Sequence, residues 1–245
     1  MPARRARRIL VVDVGGSQVK ARLSDSPHEI RFASGPRLTP TAMMRTLRRR
    51  VPASSYDVVA LGYPGLVRRN RIERDPVHLG RGWVGYDFRK AFGRPVRIVN
   101  DAALQALGSY AGGSMLFLGL GTGLGSAMIV EGQLVPMELA HLPYKKGRSF
   151  EAFVGKDARK RLGKKRWHRE VFRVVEALTR ALEPDYVVIG GGNLQKLDWL
   201  PDGVRAGHNG NVFLGGVRLW DAPDAPAAAS RPRDRSRTGR RRAAA

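Results

Sequence analysis

Apolar positions along this chain fall into short runs, and most of the runs end in glycine. Ile9 to Val14 is apolar except for Asp13 and reads as a buried strand. Gly15-Gly16 turns the chain. Val19, Ala21 and Leu23 then alternate with Lys20 and Arg22, the period of a half-buried strand. The opening unit is therefore a β-hairpin around a glycine turn. Thr41 to Arg50 reads as a short basic helix, and Tyr56 to Leu61 as a strand that ends at Gly62-Tyr63-Pro64-Gly65. Val96 to Val99 is a strand running into Asn100-Asp101. Ala102 to Tyr110 suits a helix, with either residue placed to cap it.

A second unit repeats the first. Met115 to Leu120 is a strand, Gly121-Thr122-Gly123-Leu124-Gly125 a glycine turn, and Ser126 to Val130 the returning strand, with Glu131-Gly132 turning again. Glu170 to Leu182 is an amphipathic helix carrying Val171, Val174, Val175 and Leu178 on one face. Tyr186 to Ile189 is a strand that ends in Gly190-Gly191-Gly192. Each half opens with strand, glycine turn, strand, a weak internal repeat. Gly215-Gly216, before Val217 and Leu219, eases a close packing contact.

Composition adds limits. At 245 residues and 42% hydrophobic, a globular chain of one or two domains is expected. With no cysteine, disulfides, thiolate zinc sites and cysteine nucleophiles are excluded, which fits a reducing cytoplasm. Arg4, Arg5, Arg7 and Arg8 imitate a signal-peptide start, but the apolar run behind them is too short. No stretch has the length of a membrane span. The expectation is a soluble, cytoplasmic protein with no membrane partner. His28, His78, His168 and His208 have no metal-ligand spacing, and Trp83, Trp167, Trp199 and Trp220 read as packing residues.

A formal charge of +23 implies affinity for a polyanion: nucleic acid, an anionic membrane or polyphosphate. The charge is concentrated in Lys145 to Arg169 and in the tail. From Ala222 onward there is almost no large apolar residue, so 223–245 is expected to be a disordered basic tail. No interleaving of aromatic and basic residues marks a specific nucleic-acid module.

The glycine turns carry the candidate chemistry. Each alone is an ordinary tight hairpin. Together they offer backbone N–H groups to phosphates, with a hydroxyl or a lysine alongside. Asp13-Val14-Gly15-Gly16-Ser17-Gln18-Val19-Lys20 has all these parts and Leu120-Gly121-Thr122-Gly123 most of them. Neither is a Walker loop or a Rossmann fingerprint. Two such hairpins, with a third turn at Gly190, Gly191 and Gly192, point to a cleft that holds a chain of phosphates. Asp13 and Asp101 stand at strand ends, where open α/β sheets bind ligands. A buried Asp13 needs a partner, and a hydrated Mg2+ beside phosphates would serve. Asp101 is placed to accept a proton from a substrate hydroxyl.

These residues, in this order, resemble the ROK family of sugar kinases and repressors, and within it the polyphosphate glucokinase branch, over roughly residues 8 to 220. Asp13 to Ser17 with Lys20 looks like the first phosphate loop, with Ser17 in place of the usual Thr. Gly62 to Gly65 looks like the G-x-P-G segment and Gly82-Trp83-Val84-Gly85 like the loop before the catalytic strand. Val99-Asn100-Asp101-Ala102 resembles the N-D-A motif, Leu120 to Gly125 the second phosphate loop, Glu138-Leu139-Ala140-His141 the E-L-G-H sugar motif, and Val188 to Gly192 the nucleotide-side loop.

The resemblance implies an α/β, actin-like ATPase (ribonuclease H-like) fold with two domains around a cleft. Residues 1–108 would form the first domain, 109–206 the second, and 207–222 a segment packing back on the fold. It implies phosphoryl transfer from polyphosphate, ATP or both to the 6-hydroxyl of glucose, with Asp101 as base. Gly65, Asn100, Glu138 and His141 would hold the sugar. Gly15, Gly16, Ser17, Lys20, Gly121, Thr122, Gly123, Gly190, Gly191 and Gly192 would hold donor phosphates, and Asp13 would position Mg2+. A homodimer is also implied. Without cysteine, the zinc motif of many relatives is absent, as in the polyphosphate branch. Ala140 stands where glycine is usual, a change that shifts His141 if that backbone needs a positive φ. No room for a helix-turn-helix precedes Ile9, so the repressors are poor models. The alternatives are a non-catalytic sugar or phosphate binder of the same fold and an ATP-dependent kinase for another hexose.

Overall fold

A computed structural model describes residues 6–221, so the expected tail at 223–245 lies outside the described residues, with Arg4 and Arg5. Strands β1 (Ile9–Val14), β2 (Gln18–Leu23) and β3 (Glu29–Ala33) form an antiparallel meander. Helix α1 (Pro40–Arg50) leads to β4 (Val58–Tyr63), parallel to β1. The ribbon β5 (Val67–Arg68) and β6 (Arg71–Ile72) and helix α2 (Phe88–Phe92) precede β7 (Val96–Asn100), parallel to β4. After α3 (Asp101–Ser109), the meander recurs as β8 (Ser114–Leu120), β9 (Leu124–Val130) and β10 (Gln133–Met137). Helices α4 (Glu151–Val154), α5 (Lys156–Leu162) and α6 (Lys164–Leu182) lead to β11 (Tyr186–Gly190), parallel to β8. Then come β12 (Val204–Ala206), parallel to β11, and α7 (Asn211–Asp221).

The sheets run β3-β2-β1-β4-β7 and β10-β9-β8-β11-β12. Order and sense are the same in both, so the repeat seen in the glycine hairpins is a duplicated sheet. Each sheet is covered on both faces, which explains why β1 and β4 are buried throughout. Leu10, Val12 and Val14 pack with Met43, Met44 and Leu47 of α1. Ile9 and Val11 face the opposite way, into a core shared with α3, α7 and the second sheet. In that second sheet Met115 and Phe117 face this shared core, while Leu116, Leu118 and Leu120 pack with Trp167, Val171 and Val174 of α6.

The middle layer depends on glycine. A Cβ at Gly108 would overlap the Asn211 carbonyl, one at Gly215 the Leu104 carbonyl, and one at Gly216 the Val11 methyls. So α3 and α7 meet backbone to backbone, and α7 lies directly on β1. Val212, Phe213 and Leu219 are buried there, each contributing roughly 1.5–3 kcal/mol by leaving water.

Some boundaries differ from expectation. The long helix starts at Lys164, ahead of Glu170, because its first turn presents Lys164, Lys165 and Arg166 to solvent and has no apolar stripe before Trp167. The second glycine turn is shorter than expected, since Leu124 and Gly125 already pair in β9. The strand read from Tyr56 begins at Val58 and runs on through Tyr63, while the Tyr56 ring packs against Phe92. Trp83 and Trp167 are fully buried as expected, but Trp199 is 60% exposed and leans on Phe172. No helix of the described residues is long and apolar enough to cross a membrane.

Candidate active site

Alternation along β1 places Asp13 on the same side as Ile9 and Val11, toward the start of α3. It is 8% exposed. Its neighbours in the sheet are Lys20 on β2 and Gly62 on β4. Asp101 is the first residue of α3. Asn100 caps that helix by accepting from the Ala102 N–H at 2.8 Å, and Asp101 Oδ1 accepts from the same N–H at 2.8 Å. The Asn100 amide also donates to the Gly65 carbonyl at 3.1 Å, which ties the expected sugar-side residues together. Gly62 is the floor between the two acids. A Cβ there would lie 3.4 Å from Asp13 Oδ1, 3.6 Å from Asp101 Cα and 3.0 Å from Leu104 Cδ2.

This crowding sets the electrostatics. Burial pushes the Asp101 carboxyl up to about 7, helped by the Asp13 charge and by Glu138, against the pull of the Ala102 N–H. Burial likewise pushes Asp13 up to about 6. Lys20 opposes the shift and Glu29 adds to it. Asp101 is thus poised to take up a proton near neutral pH.

The glycine turns face each other. In the first, Gly15 N–H donates to the Gln18 carbonyl at 2.9 Å, and the Ser34 hydroxyl donates to the Gly15 carbonyl at 2.6 Å. Ser17 is exposed and Lys20 half-buried. In the second, Gly121 N–H donates to the Gly123 carbonyl at 3.1 Å. A Cβ on Gly16 would lie 3.9 Å from Thr122 Oγ1, across the gap, and 3.6 Å from His78 Cβ. The third turn braces the second. The Asn193 amide donates to the Gly121 carbonyl at 2.7 Å, and its backbone N–H to the Leu120 carbonyl at 2.9 Å. Gly191, at φ +86°, passes so close to Leu120 that a side chain would overlap it. Gly190 is buried at the end of β11 against Phe117, so only Gly191 and Gly192 reach the turn.

Glu138 and His141 flank a short turn that the buried Ser126 hydroxyl anchors, donating to the Met137 carbonyl at 3.0 Å and accepting from Leu139 N–H at 3.1 Å. Both residues are exposed. Desolvation raises the Glu138 carboxyl, His141 and Arg74 oppose this, and Glu151 adds to it. Ala140 is buried and its backbone is not in the left-handed region, so alanine is unstrained there and His141 is not displaced on that account.

Several residues beside the site gave no signal in the sequence. Glu151 stood there only as an acid within a basic block. Its Oε2 accepts from Leu124 N–H at 3.2 Å and fills the space beside Gly123. His78 had no spacing, yet it borders Gly16. The Tyr63 hydroxyl donates to the Arg74 carbonyl at 2.7 Å, and Asp75 Oδ1 accepts from Trp83 N–H at 2.8 Å. These contacts shape the segment that carries Arg74 and His78.

Among the described residues no group of three or more His, Cys, Asp or Glu is placed to hold a metal ion. Asp13 alone fits one mode of Mg2+ binding. That ion commonly takes one or two carboxylates and completes its shell with water and substrate phosphates. A buried carboxylate beside a second acid and two facing glycine turns is such a place.

No family model matches the chain. Curated relatives do. The polyphosphate glucokinase of Mycobacterium leprae is 30% identical over 213 residues, 78% of this chain and 65% of that protein, so the chain spans just under two thirds of its length. The polyphosphate glucokinase of Mycobacterium tuberculosis is 28% identical over 221 residues, 78% of this chain and 80% of that protein. Among solved structures, the inorganic polyphosphate/ATP-glucomannokinase of Arthrobacter sp. strain KM superposes with a TM-score of 0.73 at 23% identity, covering 88% of this chain and 98% of that one. A ROK family glucokinase from Streptomyces griseus, in complex with glucose and AMPPNP, gives 0.70 at 16% identity, covering 86% and 98%. The fold is that of the ROK sugar kinases, α/β and actin-like.

Proposed function

For a chain that is ROK-like in fold and polyphosphate glucokinase-like in sequence, we propose phosphoryl transfer from polyphosphate or ATP to the 6-hydroxyl of glucose. One observation carries the reading. Asp101, its carboxyl raised to about 7, adjoins buried Asp13 between two glycine turns that face each other.

Asp101 takes the proton of the sugar hydroxyl as its oxygen attacks the terminal phosphorus. An O–P bond forms and the bond to the rest of the donor breaks, with its electron pair leaving on the shortened phosphate chain or ADP. The products are glucose 6-phosphate and that shortened donor. Asn100 and the Gly65 backbone hold hydroxyls from the first half, and Glu138 and His141 from the second. Gly15, Gly16, Ser17 and Lys20 bind donor phosphates from one side. Gly121, Thr122 and Gly123, with Gly191 and Gly192 behind them, bind from the other. Asp13 would hold Mg2+, which supplies charge neutralisation at the phosphates.

The domain division at 108 and 206, a homodimer and a cytoplasmic setting complete the reading by family resemblance; light scattering tests the dimer. The activity test is a coupled assay of glucose 6-phosphate with glucose and each donor. Wild type should turn over with at least one donor. Equal rates for wild type and Asp101→Asn would sink the base assignment, and no product from any donor would sink the kinase reading.

A further inference from the structure

Lys156 sits where the second glycine turn meets the surface. Its backbone N–H donates to the Thr122 carbonyl at 3.1 Å, and the residue is exposed at the start of α5. Lys160, also exposed, follows one turn later on the same face, about 6 Å along the axis. Lys165 and Arg166 are exposed at the start of α6, which packs against α5.

The cations of this region differ in their commitments. Lys145 and Arg173 pair with Glu170, Lys164 with Asp198, and Arg180 with Glu176. Among the described residues, none of these ion pairs takes Lys156, Lys160, Lys165 or Arg166. These four exposed cations, outside those ion pairs, follow one another along α5 and into the start of α6, from the point where α5 meets the glycine turn. On the kinase reading the turns and Lys20 serve the single phosphoryl group that is transferred, which leaves the outer cations for a longer anion. A row of like charges matches a ligand whose own charge repeats along its length.

We propose that this strip, from Lys156 through Lys160 to Lys165 and Arg166, is a binding track for a linear phosphate polymer whose end lies at the second glycine turn. The direction of the chain rests on the kinase reading above; the binding does not.

The test uses the full chain, the variant Lys156→Ala/Lys160→Ala, and a charge-matched control on the other half, Arg89→Ala/Lys90→Ala on α2. Equilibrium binding of long-chain polyphosphate and of tripolyphosphate is measured at one fixed salt concentration. The track variant is expected to weaken long-chain binding about tenfold and tripolyphosphate binding by less than about twofold. The control should change neither by more than about twofold. The same split is expected in the glucose assay: a higher KM for long-chain polyphosphate, unchanged KM for ATP and unchanged kcat. Equal losses in both variants, or a loss independent of chain length, overturn the track. If wild type makes no glucose 6-phosphate, the kinase reading fails and the binding comparison still decides the track. If wild type binds the long chain no better than tripolyphosphate, the track fails and the kinase reading stands.

Discussion

The two sheets share one order and one pattern of strand sense, yet their equivalent rungs differ completely in chemistry. In the first sheet the rung before the hairpin turn is Lys20, Asp13 and Gly62. In the second it is Gly125, Gly119 and Gly190. One copy has a buried acid with a cation beside it, and the other has three residues without side chains. The bare rung has a use. A Cβ on Gly125 would lie 2.8 Å from Ala102 Cβ, next to Asp101. Glycine there lets the second sheet close on the helix that begins at Asp101. The same frame stands twice, and the two halves differ in what the rung provides: charge in one, close approach in the other.

Breaking the charged half should have the largest effect. Asp101→Asn is expected to lower kcat about 10³-fold, read in the coupled assay, with the KM for glucose little changed. The pH profile comes next. Because the Asp101 carboxyl is raised to about 7, kcat/KM should fall about tenfold per pH unit below that value in wild type.

Stability gives the opposite sign. Both acids titrate above their ordinary 3.8 in the fold, so the stability linked to their neutral forms is full below about pH 4 and is lost as pH rises through about 6 and 7. Asp101→Asn should therefore raise Tm over wild type at pH 8 and leave it unchanged at pH 4. An equal shift at both values would contradict the burial argument.

Breaking the bare half should cost less. Gly125→Ala is expected to destabilise by about 1–3 kcal/mol in urea titration and to lower kcat about tenfold by displacing the start of α3. The smallest effect is expected for Lys20→Met. Removing the charge that opposes the Asp13 shift should push the Asp13 carboxyl further up and raise the KM for the donor about threefold.

The sequence showed the parts of the fold that repeat in a simple period. The hairpin strands, the turns at Gly15 and Gly121, and the strand into Asn100-Asp101 were all legible. The edge strands β3, β10 and β12 were not, because edge residues are half exposed and their pattern is mixed. Helix α7 was read only as a close contact at Gly215-Gly216. Two adjacent glycines weigh against a helix by propensity, and packing on Val11 and Leu104 overrides that here. Asp13 and Asp101 stood out because a carboxylate at the end of an apolar strand needs a reason. Glu151 and His78 did not, since each reaches the site from a segment with no local mark of the approach.

Helix α7 also has a consequence for synthesis. One face of β1, through Val11, is covered by a helix that starts at Asn211. Strand β1 therefore waits for the last described helix before both its sides are dry, and half-finished chains carry an apolar face that invites aggregation. An early strand and a late helix of the described residues close one core between them, so a nascent chain halted before Asn211 would be left with that face of β1 uncovered.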